Sequence, residues 1–447
     1  MRIFNFLGYE TIGINYLGDV GLHIGKLIVA YELWIDKEAL KKDPVKELLR
    51  LYIKFCEKEK SELSEGQDEE KEDYTNNEWT NKAKEKIKLL ELGDKDAHKI
   101  WKEIRVSSGK GFDKIYKILN VNFNETTGQS YFSDKGKSII SEALVKGLAK
   151  SEKDSNAVYV EFEKKLNLPK KYILRSNGTA SYITQDLGAS VERFKKYKFD
   201  KMIYVTDYRQ ALHFQQLFEI IKKFGYTFYD RCQHIGFGTL NFGKEIMATR
   251  LGKIVLLEDV LKKTIEKAGQ EIKKRKTKGD AEKIGVSSIK YAILKSEPSK
   301  DVEFSWDIAL NFEGDTGPYL QYAYARASSI LRKASKTKQQ TEKGKNEKLK
   351  ILMIPERLEQ AEIKLIKKIE DFPGIVRESS EKLNPALIAN YSFQLCQTFN
   401  EFYAHCKVID AEKGKSQAEF RLKLVDFFRK VLKNSLFLLG IEVMEEM

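Results

Sequence analysis

The chain has 447 residues with a formal net charge of +13 and a pI near 9.1, and it is 42% hydrophobic, 11% aromatic and 32% charged. The apolar share can bury sizeable cores, and at about 150 residues per domain the length allows about three domains. A basic excess of this size favours a polyanionic partner, nucleic acid or a membrane surface, with binding that weakens as salt rises.

No stretch approaches the roughly 18 consecutive apolar residues of a membrane span, and the first residues run into Gly8-Tyr9-Glu10 without a charged-then-apolar leader. The expectation is a cytoplasmic protein that does not enter a membrane. Cys56, Cys232, Cys396 and Cys406 lie far apart, with no CxxC or Cys/His spacing for zinc. They read as free thiols, and no metal site is expected.

In chain order, residues 1–34 read as the end of a helix, a strand over Thr11–Tyr16 and a glycine-punctuated loop, Gly18-Asp19-Val20-Gly21. Residues 35–168 are charged and locally low in complexity, with an acidic run at Glu65–Glu72 that reads as a solvated loop. They suggest an inserted subdomain, helical at first, with strands toward Tyr159–Phe162.

From 172 to 240 the pattern sharpens. The apolar run Tyr172-Ile173-Leu174 is followed by a turn at Ser176-Asn177-Gly178 and a helix with Ile183, Leu187, Val191 and Phe194 at helical spacing. Met202–Val205 is a strand; Leu212, Leu217, Ile220, Ile221 and Phe224 mark a second helix stopped by Gly225. Another strand follows near Cys232–Phe237. Alternation of this kind predicts βαβ units and a parallel sheet. From Glu258 onward the pattern is helical, interrupted by lysine-rich stretches at Lys262–Lys283 and Lys333–Lys350, the second a flexible surface loop.

In a parallel α/β sheet, ligands bind beyond the carboxyl ends of strands, near helix N-termini. Tyr182 and Asp186 share a face at the opening of the first helix, and Gln210 stands at the start of the second. A carboxylate beside a hydroxyl and an amide suits a guanidinium; an acid placed there for the helix dipole gives the same pattern. No GxGxxG, GxxxxGK[ST] or GxSxG occurs in the required context, which argues against a dehydrogenase, a P-loop NTPase and an α/β-hydrolase.

Six segments in order resemble one family. Asn15-Tyr16-Leu17-Gly18-Asp19-Val20-Gly21 resembles the NYLGDWG element of arginyl-tRNA synthetases, and Tyr172–Tyr197 is similar to their LLRSDGT…RDIA…KY block. Leu212-His213-Phe214-Gln215-Gln216-Leu217-Phe218-Glu219-Ile220 and Gln233–Gly238 resemble their LHFxQLFEI and QHVxFG segments. Phe312–Tyr322 is close to their FEGDTGPYLQY block, and the tail keeps Phe399-Asn400 and Val431–Asn434 in order.

The resemblance implies a Rossmann-type class I catalytic domain (1–34 and 169–284), an inserted subdomain (35–168) and an all-α DALR-type anticodon-binding bundle (285–447). It implies ligation of L-arginine to tRNA(Arg) using ATP and Mg²⁺. Tyr182, Asp186 and Gln210 would line the arginine pocket. His213 and Gln216 would stand close by that pocket and His234, Phe237 and Gly238 would border the adenine, all five serving catalysis or ATP binding. Met247, Arg250 and Lys253 would form the mobile phosphate loop, and Tyr319, Tyr322, Arg326, Tyr391 and Tyr403 would meet tRNA. The family's HIGH motif would precede Met1, so the front end is expected either as a separate N-terminal fragment, a partner of this chain, or as a segment lost from the gene model. His23-Ile24-Gly25-Lys26 is rejected as a substitute because it follows Asp19 where the family has a TQFG-like stretch, and no strand leads into it at the required place. The alternatives are a non-catalytic tRNA-binding protein built from the same domains and a Rossmann-type ligase for another cationic amine.

Overall fold

A computed structural model describes residues 1–62, 77–241, 256–341, 355–408 and 415–447. Their contacts divide into two units, one built from residues 12–236 and the other from residues 1–11 with the described residues from 237 onward. The acidic run at 65–72 and Met247, Arg250 and Lys253 lie outside the described residues. Among those described, no helix is long and apolar enough to cross a membrane.

The first unit is α/β. Strand β1 (Ile14–Leu17), starting later than the expected Thr11, pairs in parallel with β2 (Glu125–Gly128). Between them lie helices Leu22–Trp34, Lys37–Lys42, Pro44–Ser61, Glu78–Glu91 and Lys95–Ile118. These bury Ile28, Leu51, Phe55, Ala83, Ile87 and Ile104 in a core of their own.

Strands β3 (Lys150–Ser151), β4 (Val158–Val160) and β5 (Lys171–Leu174) form an antiparallel sheet. This corrects one sequence expectation. The sequence pattern puts residues 172–174 in a parallel βαβ unit, yet only ten residues, including one short 3₁₀ turn (Lys164–Leu166), join β4 to β5. A parallel crossover needs a dozen or more residues. Strands β6 (Met202–Asp207) and β7 (Cys232–Phe237) pair with each other, connected through helix Ala211–Lys223. That helix ends as the sequence suggests: Gly225 (φ +84°) lets the Tyr226 N–H reach the Ile221 carbonyl at 3.1 Å.

Helix Tyr182–Tyr197 packs closely on helix Ser133–Val145. The contact is backbone to backbone. A Cβ at Gly136 would lie 2.0 Å from the Thr184 carbonyl oxygen, and one at Gly188 would lie 2.6 Å from that of Phe132.

The second unit is mainly helical, with a short parallel pair, β8 (Leu240–Asn241) and β9 (Val302–Glu303). The lysine-rich stretch from 262 is no interruption: Leu257–Arg275 is one helix, broken only before Ala281. Likewise the helix from Gly317 continues to Thr341, into the stretch expected to be a loop. Helices Gln360–Glu370, Ala386–His405 and Lys415–Leu438 complete a core of Leu320, Tyr324, Leu365, Phe399, Phe428 and Leu432. The Arg421 guanidinium donates to Glu362 at 2.6 Å, both fully buried. Within the Phe312–Tyr322 block, Asp315 accepts from Tyr291 (2.6 Å) and Lys295 (3.3 Å), and a Cβ at Gly317 would meet Ser287 Oγ at 2.3 Å. In this fold the block works as a helix junction.

Gly136→Ala is expected to destabilise the chain by about 1–3 kcal/mol or more, because the obstructing atom is backbone. Gly109→Ala, in helix Lys95–Ile118 with open space at its Cβ, is expected to stabilise it by about 0.5–1 kcal/mol. Chemical denaturation of the two variants measures both; equal effects would refute the packing argument.

Candidate active site

Two helix openings build the site. At the first, the Ser181 N–H donates to Thr184 Oγ1 at 2.9 Å while the buried Thr184 hydroxyl donates to the Ile173 carbonyl. The first turn of helix Tyr182–Tyr197 is thus tied to β5. Ile183, Leu187 and Val191 enter the core, which leaves Tyr182 and Asp186 on another face. At the second, Asp207 at the end of β6 accepts from the Arg209 N–H at 2.8 Å. The chain passes through the 3₁₀ turn Tyr208–Gln210 into helix Ala211–Lys223.

A hydrogen bond joins the two openings: His213 Nε2 lies 2.7 Å from Asp186 Oδ2. Asp186 is only 7% exposed. An ionised carboxylate has no proton to give, so the histidine donates and Nε2 carries the hydrogen. Tyr182 and Gln210 each stand about one turn nearer their helix N-terminus. Gln210 is exposed, and its amide makes no hydrogen bond among the described residues. The Tyr182 hydroxyl lies over Gly21, where a Cβ would come within 2.9 Å of it. Gly21 has φ +118°, so a side chain there would be strained as well as crowded.

Behind Asp186 lies a group of residues the sequence reading did not single out. The Arg193 guanidinium is buried 4.5 Å from the Tyr16 ring centroid and 5.6 Å from that of Phe132. Its Nε and one terminal nitrogen have no hydrogen-bond partner among the described residues, and the same holds for the Tyr16 hydroxyl, Thr127 Oγ1, Gln129 Oε1 and Gln185 Oε1. Burial, and then the negative charge of Asp186, push the Tyr16 phenol well above its ordinary pKa. Unpaired buried polar atoms cost about 1–3 kcal/mol each, so their concentration on β1, β2, the 3₁₀ turn Gln129–Phe132 and the Asp186 helix marks this end of the fold as specialised. Tyr16 and Arg193 lie within motifs quoted above; what the motifs could not convey is that their side chains stack.

His234 on β7 stacks on Phe214 (4.6 Å, 13°) and its Nε2 lies 2.8 Å from Thr206 Oγ1. Burial, then the neighbouring His213, lower its pKa from 6.5. Gln216 is buried, and its amide donates to the Pro169 carbonyl at 3.0 Å, bracing the chain that enters β5. Phe237 is 46% exposed. The Gly238 N–H donates to Pro298 at 2.9 Å, and a Cβ there would strike the Lys300 carbonyl.

The rejected His23–Lys26 segment is structural. The His23 ring meets the Gly18 carbonyl at 3.0 Å, a Cβ at Gly25 would strike the Ala83 carbonyl, and buried Lys26 pairs with Glu59 at 2.7 Å. Asp19 is also internal, accepting from the Ser130 N–H and hydroxyl at 2.8 Å each.

In the helical unit, Asn400 donates to the Tyr319 hydroxyl (2.8 Å) and accepts from Arg326 (3.2 Å). The Arg326 guanidinium lies 5.0 Å from the Tyr322 ring and 5.9 Å from the exposed Tyr403 ring. Four of the five residues expected at RNA therefore form one cluster, with Asn400 as an unforeseen link. Tyr391 does not join it. It is 2% exposed and its hydroxyl donates to the Lys368 carbonyl at 2.7 Å; its place on the apolar face of its helix puts it in the core, out of reach of a base.

Residues 1–306 match the family model for the class I tRNA synthetase (R) catalytic domain, and residues 320–447 match the DALR anticodon-binding domain. The chain is 37% identical over 451 residues to the arginine–tRNA ligase of Clostridium botulinum (strain Hall), covering all of this chain and 75% of that protein; the Clostridium beijerinckii ligase is 36% identical over the same span. The chain belongs to the arginyl-tRNA synthetase family. Among solved structures, the Plasmodium falciparum arginyl-tRNA synthetase superposes with a TM-score of 0.77 at 26% identity, over all of this chain and 72% of its own. The Thermus thermophilus enzyme shares the fold at the same TM-score and 22% identity, with 77% of its chain covered. The expected fold class, a class I catalytic domain followed by a helical DALR domain, holds.

For this family member, one consequence of the His234 environment is testable. Its folded pKa lies below the unfolded value near 6.5, so the unfolded chain binds the proton first as pH falls. Stability is then lost progressively below about pH 6.5 until the folded pKa is passed. His234→Gln is expected to flatten this part of the pH–stability curve, read by denaturant titrations between pH 5 and 7.5; an unchanged slope would refute it.

Proposed function

We propose that the chain works as an arginine–tRNA ligase through a pocket formed by Tyr182, Asp186 and Gln210. In the first step an oxygen of the arginine carboxylate bonds to the α-phosphorus of ATP and the bond to pyrophosphate breaks, giving arginyl-adenylate. In the second a hydroxyl of the tRNA(Arg) 3′-terminal ribose attacks the mixed-anhydride carbonyl and AMP leaves. No protein nucleophile takes part. The protein contributes positioning and charge stabilisation.

The observation that carries this reading is the buried Asp186 carboxylate, with Oδ2 held by His213 and Tyr182 and Gln210 one turn away on the two converging helices. A carboxylate selects the planar guanidinium by charge and by paired hydrogen bonds, and the Tyr182 oxygen and Gln210 carbonyl are suited to accept from its remaining N–H groups. His234 is proposed beside the adenine, with Phe237 and Gly238 following it in the chain. Met247, Arg250 and Lys253 are proposed for the phosphates on the sequence resemblance. Among the described residues no group of three acidic, histidine or cysteine side chains could hold a metal ion, so Mg²⁺ is proposed to arrive with the nucleotide. Residues 1–34 with 169–284, 35–168 and 285–447 are the proposed functional domains, and the cytoplasm the proposed location.

Asp186→Asn is expected to weaken arginine binding by about 2–3 kcal/mol, roughly 30- to 150-fold, in calorimetry, with a matching loss in arginine-dependent ATP–pyrophosphate exchange. Unchanged arginine affinity would sink the pocket assignment. In the helical unit, Arg326→Ala is expected to lower tRNA affinity at every salt concentration and to reduce the slope of log K against log [salt] by about 1. A variant with the parent's slope and affinity would remove that cluster from the tRNA interface.

A further inference from the structure

We propose that His213 is a positioning residue for amino-acid recognition: by holding one oxygen of Asp186 it aims the other at the substrate guanidinium. This rests on the reading of Asp186 as the guanidinium's partner. The family resemblance sets His213 close by the arginine pocket, for catalysis or ATP binding; here it takes a role in binding arginine.

An aspartate carboxylate turns through a broad range about its last torsion. A side chain free to turn must be ordered when the ligand binds, and that cost comes out of affinity. His213 removes this freedom in advance with a single bond of 2.7 Å to Oδ2, a length typical of charge-assisted hydrogen bonds. The imidazole is itself held: it begins from a helical backbone, sets its edge against Phe214 (5.1 Å, 84°) and is 19% exposed. It takes Oδ2 alone. The Tyr16 hydroxyl, whose pKa the Asp186 charge helps to raise, faces the same carboxylate without a hydrogen bond of its own. Oδ1 has no hydrogen bond to a described residue and is not among the fully enclosed, unpartnered polar atoms, and it is the oxygen proposed for the ligand.

The spacing along the helices supports the same assignment. Gln210 and His213 are three residues apart and Tyr182 and Asp186 four, so each pair shares one helix face. The His213–Asp186 bond joins the two helix openings, and Tyr182 and Gln210 stand about one turn nearer their helix N-termini. With Oδ2 taken by His213, Oδ1 is proposed for the guanidinium, so His213 acts on the ligand only through the carboxylate.

The test compares His213→Ala, His213→Gln and Asp186→Asn by calorimetry with L-arginine, with ATP and with citrulline, the uncharged analogue of arginine, alongside melting temperatures. His213→Ala is expected to weaken arginine on the order of 10- to 100-fold, as when an orienting outer hydrogen bond is taken from a liganding side chain. ATP affinity should stay within twofold of the parent, and the preference for arginine over citrulline should narrow. His213→Gln, whose amide can still donate to Oδ2, should recover most of the loss. Weaker ATP binding with unchanged arginine affinity would return His213 to the nucleotide and overturn the proposal. Equal loss in both His213 variants with a lowered melting temperature would assign it to packing and also overturn it. If Asp186→Asn weakens arginine and His213→Ala does not, only this proposal fails; if Asp186→Asn has no effect, the pocket reading fails with it.

Discussion

A carboxylate withdrawn from water is the constraint around which the α/β unit is arranged. Isolated anions are too costly to bury, and Asp186 is tolerated at 7% exposure because His213 donates to it at 2.7 Å. Holding that bond requires two helix openings from different parts of the chain to converge. Each is fastened separately: Thr184 ties one to β5, and Asp207 turns the chain into the other. The apolar faces of both helices share a core with β4, β5 and β6, so the position of the charge is set by packing. The helix N-termini nearby carry partial positive charge, which favours the carboxylate and opposes a bound cation. In the proposed pocket, recognition of arginine therefore comes from the acidic side chain and its neutral companions, with no help from the helix dipoles.

Much of this was legible in the residue pattern, for identifiable reasons. The helix beginning at Tyr182 was visible because Ile183, Leu187, Val191 and Phe194 repeat at helical spacing, and the same spacing puts Tyr182 and Asp186 on one face. The end of the next helix was visible because Gly225 is the residue that a left-handed cap demands. The sense of β5 was not visible: its apolar run is the same whether its neighbour is parallel or antiparallel, and only the length of the preceding connection decides. The lysines from 262 to 275 looked like an interruption because charge obscured a continuous amphipathic helix whose buried side is Val260, Leu261, Thr264 and Ala268.

The side chains of the proposed sites divide in the same way. Local spacing revealed Asp186 and Gln210 because their helices are local structures. It gave no sign that Arg193 lies over Tyr16, more than 170 residues away in sequence, or that Asn400 links Tyr319 to Arg326. Nor could it separate Tyr391 from Tyr403, which lie on one helix with different exposures, 2% and 43%. The close match at Phe312–Tyr322 stands out as a motif, but its Asp315 and Gly317 hold a junction between helices. A recognisable motif can record a packing requirement as readily as a chemical one.

The backbone contact between helices Ser133–Val145 and Tyr182–Tyr197 has a mechanical consequence. Side chains usually lie between packed helices and can change rotamer to absorb a shift. Gly136 and Gly188 leave no such cushion: Thr184, two residues before Asp186, bears on the first helix through its own carbonyl. Protein interiors are nearly incompressible, so a displacement of helix Ser133–Val145 travels undamped into the turn that carries the acid. The joint works as a rigid bearing, and the proposed pocket inherits its tolerance from two missing methyl groups.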